Sequence, residues 1–157
     1  MSYTFDDNGM GFQGEADTNG YPIYTDFVIP GDQNVKVTFK FVHSYRCSDQ
    51  GICIFENGTT PDWSWSPNPT RIAAQYDCEQ PVLIGTVDNT GGGTLTFGET
   101  YIGEFTYYAN DGYCRFITRD LYGNQISSLQ INNDLDGEDY RIAFSADNFA
   151  DGDFLFT

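Results

Sequence analysis

The chain has 157 residues, and its 23 Asp and Glu against 7 Lys and Arg give a formal net charge of −16. A field of that sign repels phosphate, which argues against nucleic acid and anionic membrane surfaces as partners. It also offers many carboxylates to a hard cation such as Ca²⁺, and it suits a salty or extracellular medium.

At this length the simplest organisation is one domain, residues 1–157, with a sizeable core. Aromatics make up 17%, with 13 Phe and 11 Tyr, and 17 Gly and 6 Pro punctuate the chain at short intervals. That composition points to an all-β fold. No run approaches the ~20 apolar residues of a membrane span. The opening MSYTFDDNGM has no basic region followed by an apolar one, so no signal peptide is visible.

In chain order, Tyr3–Phe5 is a short β-run before DDNGMGFQGEADTNG, which carries too many Gly, Asp and Asn for regular structure. Tyr24–Ile29 alternates and stops at Pro30-Gly31-Asp32. In NVKVTFKFVHS, Val35, Val37, Phe39 and Phe41 face one way and Lys36, Thr38 and Lys40 the other, the period of a strand with one wet face. Gly51–Phe55 is apolar on both faces, as in a strand covered on both sides. Thr70–Tyr76 and Gln80–Val87 read as strands, Asn89–Gly93 as a break, and Gly93–Phe97 and Tyr101–Tyr108 as strands. Asp111-Gly112 predicts a tight hairpin into Tyr113–Asp120. Gln125–Ile131, Tyr140–Ser145 and Asp153–Thr157 complete the set. Short strands at this spacing predict a sandwich or barrel.

Each of the two strands Gly51–Phe55 and Thr70–Tyr76 ends beside a cysteine, so Cys47 and Cys78 are the pair expected to bridge in an oxidising medium. Cys53 and Cys114 sit inside strand patterns and read as small buried residues. Trp63 and Trp65 are two apart in DWSWSPNP. If that segment is extended they share a face, making an aromatic platform for sugar rings or a partner protein, or else a plug for the sandwich edge. In NNDLDGED, Asn132, Asp134 and Asp136 precede Gly137 as in the opening of an EF-hand calcium loop. The twelfth position is Ala143 rather than Glu, so the choice is between a partial Ca²⁺ site at Asp134, Asp136 and Asp139 and a solvated acidic turn.

DQGICIF (Asp49–Phe55), RIAAQYD (Arg71–Asp77) and YRIAFSA (Tyr140–Ala146) resemble, in this order, three strands of the L-type lectins, and more broadly of the concanavalin A-like lectin/glucanase jelly roll. Those strands open on Asp-Gly, or read V-A-V-E-F-D and V-R-V-G-F-S-A. The resemblance implies an antiparallel two-sheet jelly-roll sandwich. It also implies that Asp49 contacts sugar, although Gln50 is inserted before Gly51, and that Asp77 ligates metal. The family's Glu is Gln75 here, which removes one of the charges that set hard-cation affinity. With a cysteine before D-Q-G and another after the R-I-A strand, the chain also resembles lectin-like structural proteins of tailed, particularly marine, phages.

Two roles follow as expectations. One is a non-enzymatic structural or attachment module of a virion surface, as a capsid decoration or fibre-associated protein, placed on the virion or in the extracellular space. The other is a soluble, calcium-assisted carbohydrate-binding lectin using the loops around Asp49, Trp63, Trp65 and Asp77. Self-association through strand edges is compatible with both. A glucanase needs paired carboxylates on one strand face. The only E-x-D is Glu15-Ala16-Asp17, followed by Asn19 and Gly20 where a second Glu belongs, and His43 has no Ser or Cys partner at a recognisable spacing. No enzyme is expected.

Overall fold

A computed structural model describes residues 2–6, 9–13, 23–42, 50–60, 67–77, 79–132, 135–146 and 154–156. Among them the strands are β1 (Ser2–Asp6), β2 (Gly9–Gln13), β3 (Ile23–Tyr24), β4 (Val35–Val42), β5 (Gln50–Glu56), β6 (Arg71–Asp77) and β7 (Gln80–Ile84). They continue as β8 (Asn89–Gly91), β9 (Thr100–Tyr108), β10 (Tyr113–Asp120), β11 (Gln125–Ile131), β12 (Tyr140–Ala146) and β13 (Phe154–Phe156). A seven-stranded sheet runs β1-β2-β13-β4-β9-β10-β11, and a six-stranded sheet runs β3-β12-β5-β6-β7-β8. All of their pairings are antiparallel. This is the all-β two-sheet sandwich expected from the sequence.

The apolar alternation becomes the layer between the sheets. Phe39 and Phe41 of β4, Phe105 of β9 and Phe116 of β10 meet Ile52 and Ile54 of β5, Ile72, Ala74 and Tyr76 of β6, and Ile142 of β12. Tyr76 sits at the middle of an aromatic cluster, stacked on Phe41 at 3.8 Å and edge-on to Phe116 at 5.1 Å between centroids. Its hydroxyl lies 3.1 Å from the Thr118 hydroxyl of β10, a polar link between the sheets. Gly103 of β9 makes room for these rings: a Cβ there would stand 2.5 Å from Phe39 Cζ and 2.7 Å from the Tyr76 hydroxyl.

The six-stranded sheet is also buried on its other face. Cys53, Phe55, Ala73, Val82, Ile84 and Ala143 form a second apolar cluster there, beside buried Arg71 and Gln75. The double burial expected for Gly51–Phe55 is therefore what this strand has. In this layer Phe39, Phe41, Ile54, Ile72, Ala74, Phe116 and Ile142 are buried, whereas Val35, Val37 and Phe144 are half-buried at its margin.

Several elements differ from the sequence expectation. Gly9–Gln13 is a strand hydrogen-bonded to β1, where composition predicts no regular structure. The run Tyr24–Ile29 reduces to β3 and an isolated bridge from Ile29 to Tyr140. The expected strand through Val87 stops at Ile84, and the expected break at Asn89 is β8, paired back onto Val82–Ile84. Gly93–Phe97 is not a strand: Leu95 is buried, but its N–H donates to the Glu79 carbonyl at 2.7 Å, outside any ladder.

Candidate functional site

The three lectin-like segments lie side by side in the six-stranded sheet as β12-β5-β6. Their register is continuous, with Ile142 opposite Ile54 and Ile54 opposite Ile72. At one end of this trio Gln50 pairs with Tyr76, and Gly51 pairs with Gln75. The residue following Asp49 and the residue preceding Asp77 are thus cross-strand partners. Asp77 closes β6 opposite Gln80 of β7. Asp49, Trp63, Trp65, Cys47, Cys78 and Asp134 lie outside the described residues, as do His43 and Glu15-Ala16-Asp17.

Gln75, at the position of the lectin Glu, is fully buried at 0% exposure. It sits between Gly51 of β5 and Val82 of β7. A carboxylate buried there would demand a compensating cation, whereas a neutral amide does not. The substitution read in the sequence therefore places an uncharged amide at a fully buried position. Among the described residues, no group of three or more His, Cys, Asp or Glu side chains is placed to hold a metal ion.

The acidic loop before β12 has a local explanation. The Glu138 N–H donates to the Leu135 carbonyl at 2.9 Å, closing a turn around Asp136 and Gly137. Both central residues have positive φ, 52° and 77°, the conformation that Asp-Gly supplies most readily. Asp136 and Asp139 are both exposed. Asp139 Oδ1 accepts the Gly31 N–H at 3.0 Å, and the Asp139 carbonyl accepts the Asn57 N–H at 2.8 Å. Tyr107 holds the same loop through the Leu135 N–H at 3.2 Å. Asp139 thus ties three chain segments together.

Cys53 and Cys114 are buried thiols, as their strand setting predicts. Burial pushes the Cys114 thiol up to about 12, against a smaller opposing effect of its contact with the Ile131 carbonyl. A thiol in that state is not a nucleophile at neutral pH.

One polar constellation escaped the sequence reading. Glu104 of β9 accepts from Lys36 Nζ at 2.6 Å and from Arg119 Nε at 3.0 Å. Hydrogen bonds from Lys36 and then Arg119 hold its carboxyl below the usual carboxylate range. The signal was the outward period of Lys36 and Lys40 repeated by Arg115 and Arg119, but only the strand register shows that the two pairs share a face.

No family model and no curated protein matches the sequence. The structure is similar to those of legume lectins. The lectin UEA-II complexed with galactose has a TM-score of 0.68 at 13% identity over 92% of this chain and 81% of that one. The metal-free form of lectin I-B4 from Griffonia simplicifolia has a TM-score of 0.68 at 8% identity, over 98% and 87%. Arcelin-5, a lectin-like defense protein from Phaseolus vulgaris, has a TM-score of 0.58 at 11% identity, over 98% and 86%. The chain has the concanavalin A-like, L-type lectin fold.

Proposed function

We propose that this chain is a non-enzymatic carbohydrate-recognition module whose sugar site lies at the Asp49/Asp77 end of β5 and β6. The observation that carries the reading is the alignment of the three lectin-like segments as adjacent strands in a lectin fold, with Gln50 and Tyr76 paired at that end. A galactose-bound lectin among the similar structures supports the ligand class. A carboxylate at a strand end suits a pyranose, because it accepts hydrogen bonds from the sugar hydroxyls.

A glycan array probed with the purified protein, with and without added calcium, tests this. Retention of a subset of glycans, lost in a folded Asp49→Asn/Asp77→Asn variant, is the expected result. Retention that requires calcium adds a bound cation to the reading. Failure of the folded protein to retain any glycan refutes the reading.

The setting we propose is a virion surface, where the module serves as a decoration or fibre-associated attachment protein. Its support is the arrangement of cysteines around the two lectin-like strands Asp49–Phe55 and Arg71–Asp77. Copurification with assembled particles at fixed stoichiometry tests that setting, and recovery only as free protein contradicts it.

A further inference from the structure

Lys36, Lys40, Arg115 and Arg119 are four of the chain's 7 Lys and Arg residues. Phe39 and Phe41 of β4 point inward, as do Cys114, Phe116 and Thr118 of β10, so all four cations project from the outer face of the seven-stranded sheet. The register arranges them. Lys36 and Arg115 both pair with Thr106, and Lys40 and Arg119 both pair with Ile102. They mark the corners of a rectangle about 10 Å across two strand spacings and about 13 Å along the strands.

Glu104 stands between them and offsets one of the four charges through its contacts with Lys36 and Arg119. Between them, among the described side chains of β4, β9, β10 and β11, lie Thr38, Thr106, Ser128 and Gln130, with half-buried Ile102 and Ile117. At one end Tyr108 and Tyr113 stack at 4.4 Å between ring centroids.

A chain of net charge −16 has thus gathered most of its positive charge on one hydroxyl-rich surface. The large exposed apolar side chains Phe27, Val87, Phe97 and Tyr122 lie in loops and turns rather than in the strands of this face. Among its described side chains Ile102 and Ile117 are half-buried, unlike the exposed apolar centre that a protein interface presents. Duplex DNA carries one charge per ~1.7 Å. That density far exceeds the spacing of these cations and is repelled most strongly by the acidic remainder of the chain. A polysaccharide with one anionic group per sugar or per disaccharide fits the spacing better.

We propose that the outer face of β4, β9 and β10 binds an anionic polysaccharide. Its sulfate or carboxylate groups would lie on Lys36, Lys40, Arg115 and Arg119, and a sugar ring against Tyr108 and Tyr113. This surface is on the sheet opposite to Asp77 and does not depend on the site proposed there.

The test measures binding of the whole protein to a dextran sulfate carrying no more than one sulfate per glucose, a polyuronate, neutral dextran and duplex DNA at increasing salt. The comparison variant is Lys40→Gln/Arg115→Gln, which leaves both Glu104 ion pairs in place. Dextran sulfate or the polyuronate binds at low salt and neutral dextran does not. The difference between the two anionic polymers identifies sulfate or carboxylate as the preferred group. The variant binds about fivefold more weakly or worse, with a shallower salt dependence. Should the double variant melt early, Lys40→Gln alone must weaken binding. Equal affinity of a folded variant and the parent, no binding of either anionic polysaccharide, or tighter binding of DNA overturns the proposal. Retention of neutral glycans is unchanged in the variant, which separates this surface from the Asp49/Asp77 site.

Discussion

The hydrogen bond between Tyr76 and Thr118 joins the sheets at the middle of the aromatic cluster, and its worth can be measured by a double-mutant cycle. Tyr76→Phe keeps the ring against Phe41 and Phe116 and leaves the buried Thr118 hydroxyl without its 3.1 Å partner. Thr118→Val does the reverse, stranding a phenol that burial already holds well above its usual pKa. Each single change costs about 1–3 kcal/mol, the penalty of an unsatisfied buried polar group. Removing both groups leaves apolar side chains of the same shape, so the double variant falls within about 1 kcal/mol of the parent. With single costs of about 2 kcal/mol each, the coupling energy is then about 3 kcal/mol. For a domain of this size 1 kcal/mol shifts Tm by about 2–4 °C. Calorimetry of the four proteins should therefore show singles lowered by several degrees and the double variant close to the parent. A double variant destabilised by the sum of the two singles would refute the argument that this bond, rather than ring packing, is what each single change loses.

Three further outcomes follow from the same structure. Gly103→Ala forces a Cβ to within 2.5 Å of the Phe39 ring and should cost about 1–3 kcal/mol in denaturant unfolding, in spite of the entropy that alanine removes from the unfolded chain. Asp139→Ala removes the acceptor of the Gly31 N–H and should lower Tm in metal-free buffer, which a purely cation-binding carboxylate would not do. The Cys114 thiol is raised from 9.0 to about 12, so the folded state favours the neutral form. Its contribution is fully present below pH 9.0 and is lost as pH rises towards about 12. Chemical denaturation across that window should show falling stability, while Cys53 and Cys114 stay unreactive to thiol reagents until unfolding.

Much of the fold is legible in the sequence because alternation is a local signal. Phe39 and Phe41 against Lys36 and Lys40 declare a half-wet strand. Asp111-Gly112 declares its hairpin, with Gly112 at a φ of 63°. The three lectin-like segments are legible as strands, and the register makes them neighbours. What local patterning misses is strand identity conferred by a partner. Asn89–Gly91 has the composition of a turn, yet its backbone groups complete the edge of β7. Gly9–Gln13 likewise gains strand character from β1 on one side and β13 on the other. The acidic loop carries two readings at once. The Asp and Gly that open a calcium motif are also the residues that a positive-φ turn selects, and Asp136-Gly137 makes such a turn. The cationic face needs the β4-β9-β10 register, because no single strand carries more than two of its four charges.

The account rests most on sugar recognition at the end of β5 and β6 that Gln50 and Tyr76 define. The direct measurement is an amide NMR titration of the labelled protein with the best-retained neutral glycan from the array. Saturable shifts are predicted at Gln50, Gly51, Gln75, Tyr76 and Asp77, with the β9–β10 amides unmoved. A titration that moves only amides elsewhere, or none at saturating glycan, would contradict the central claim.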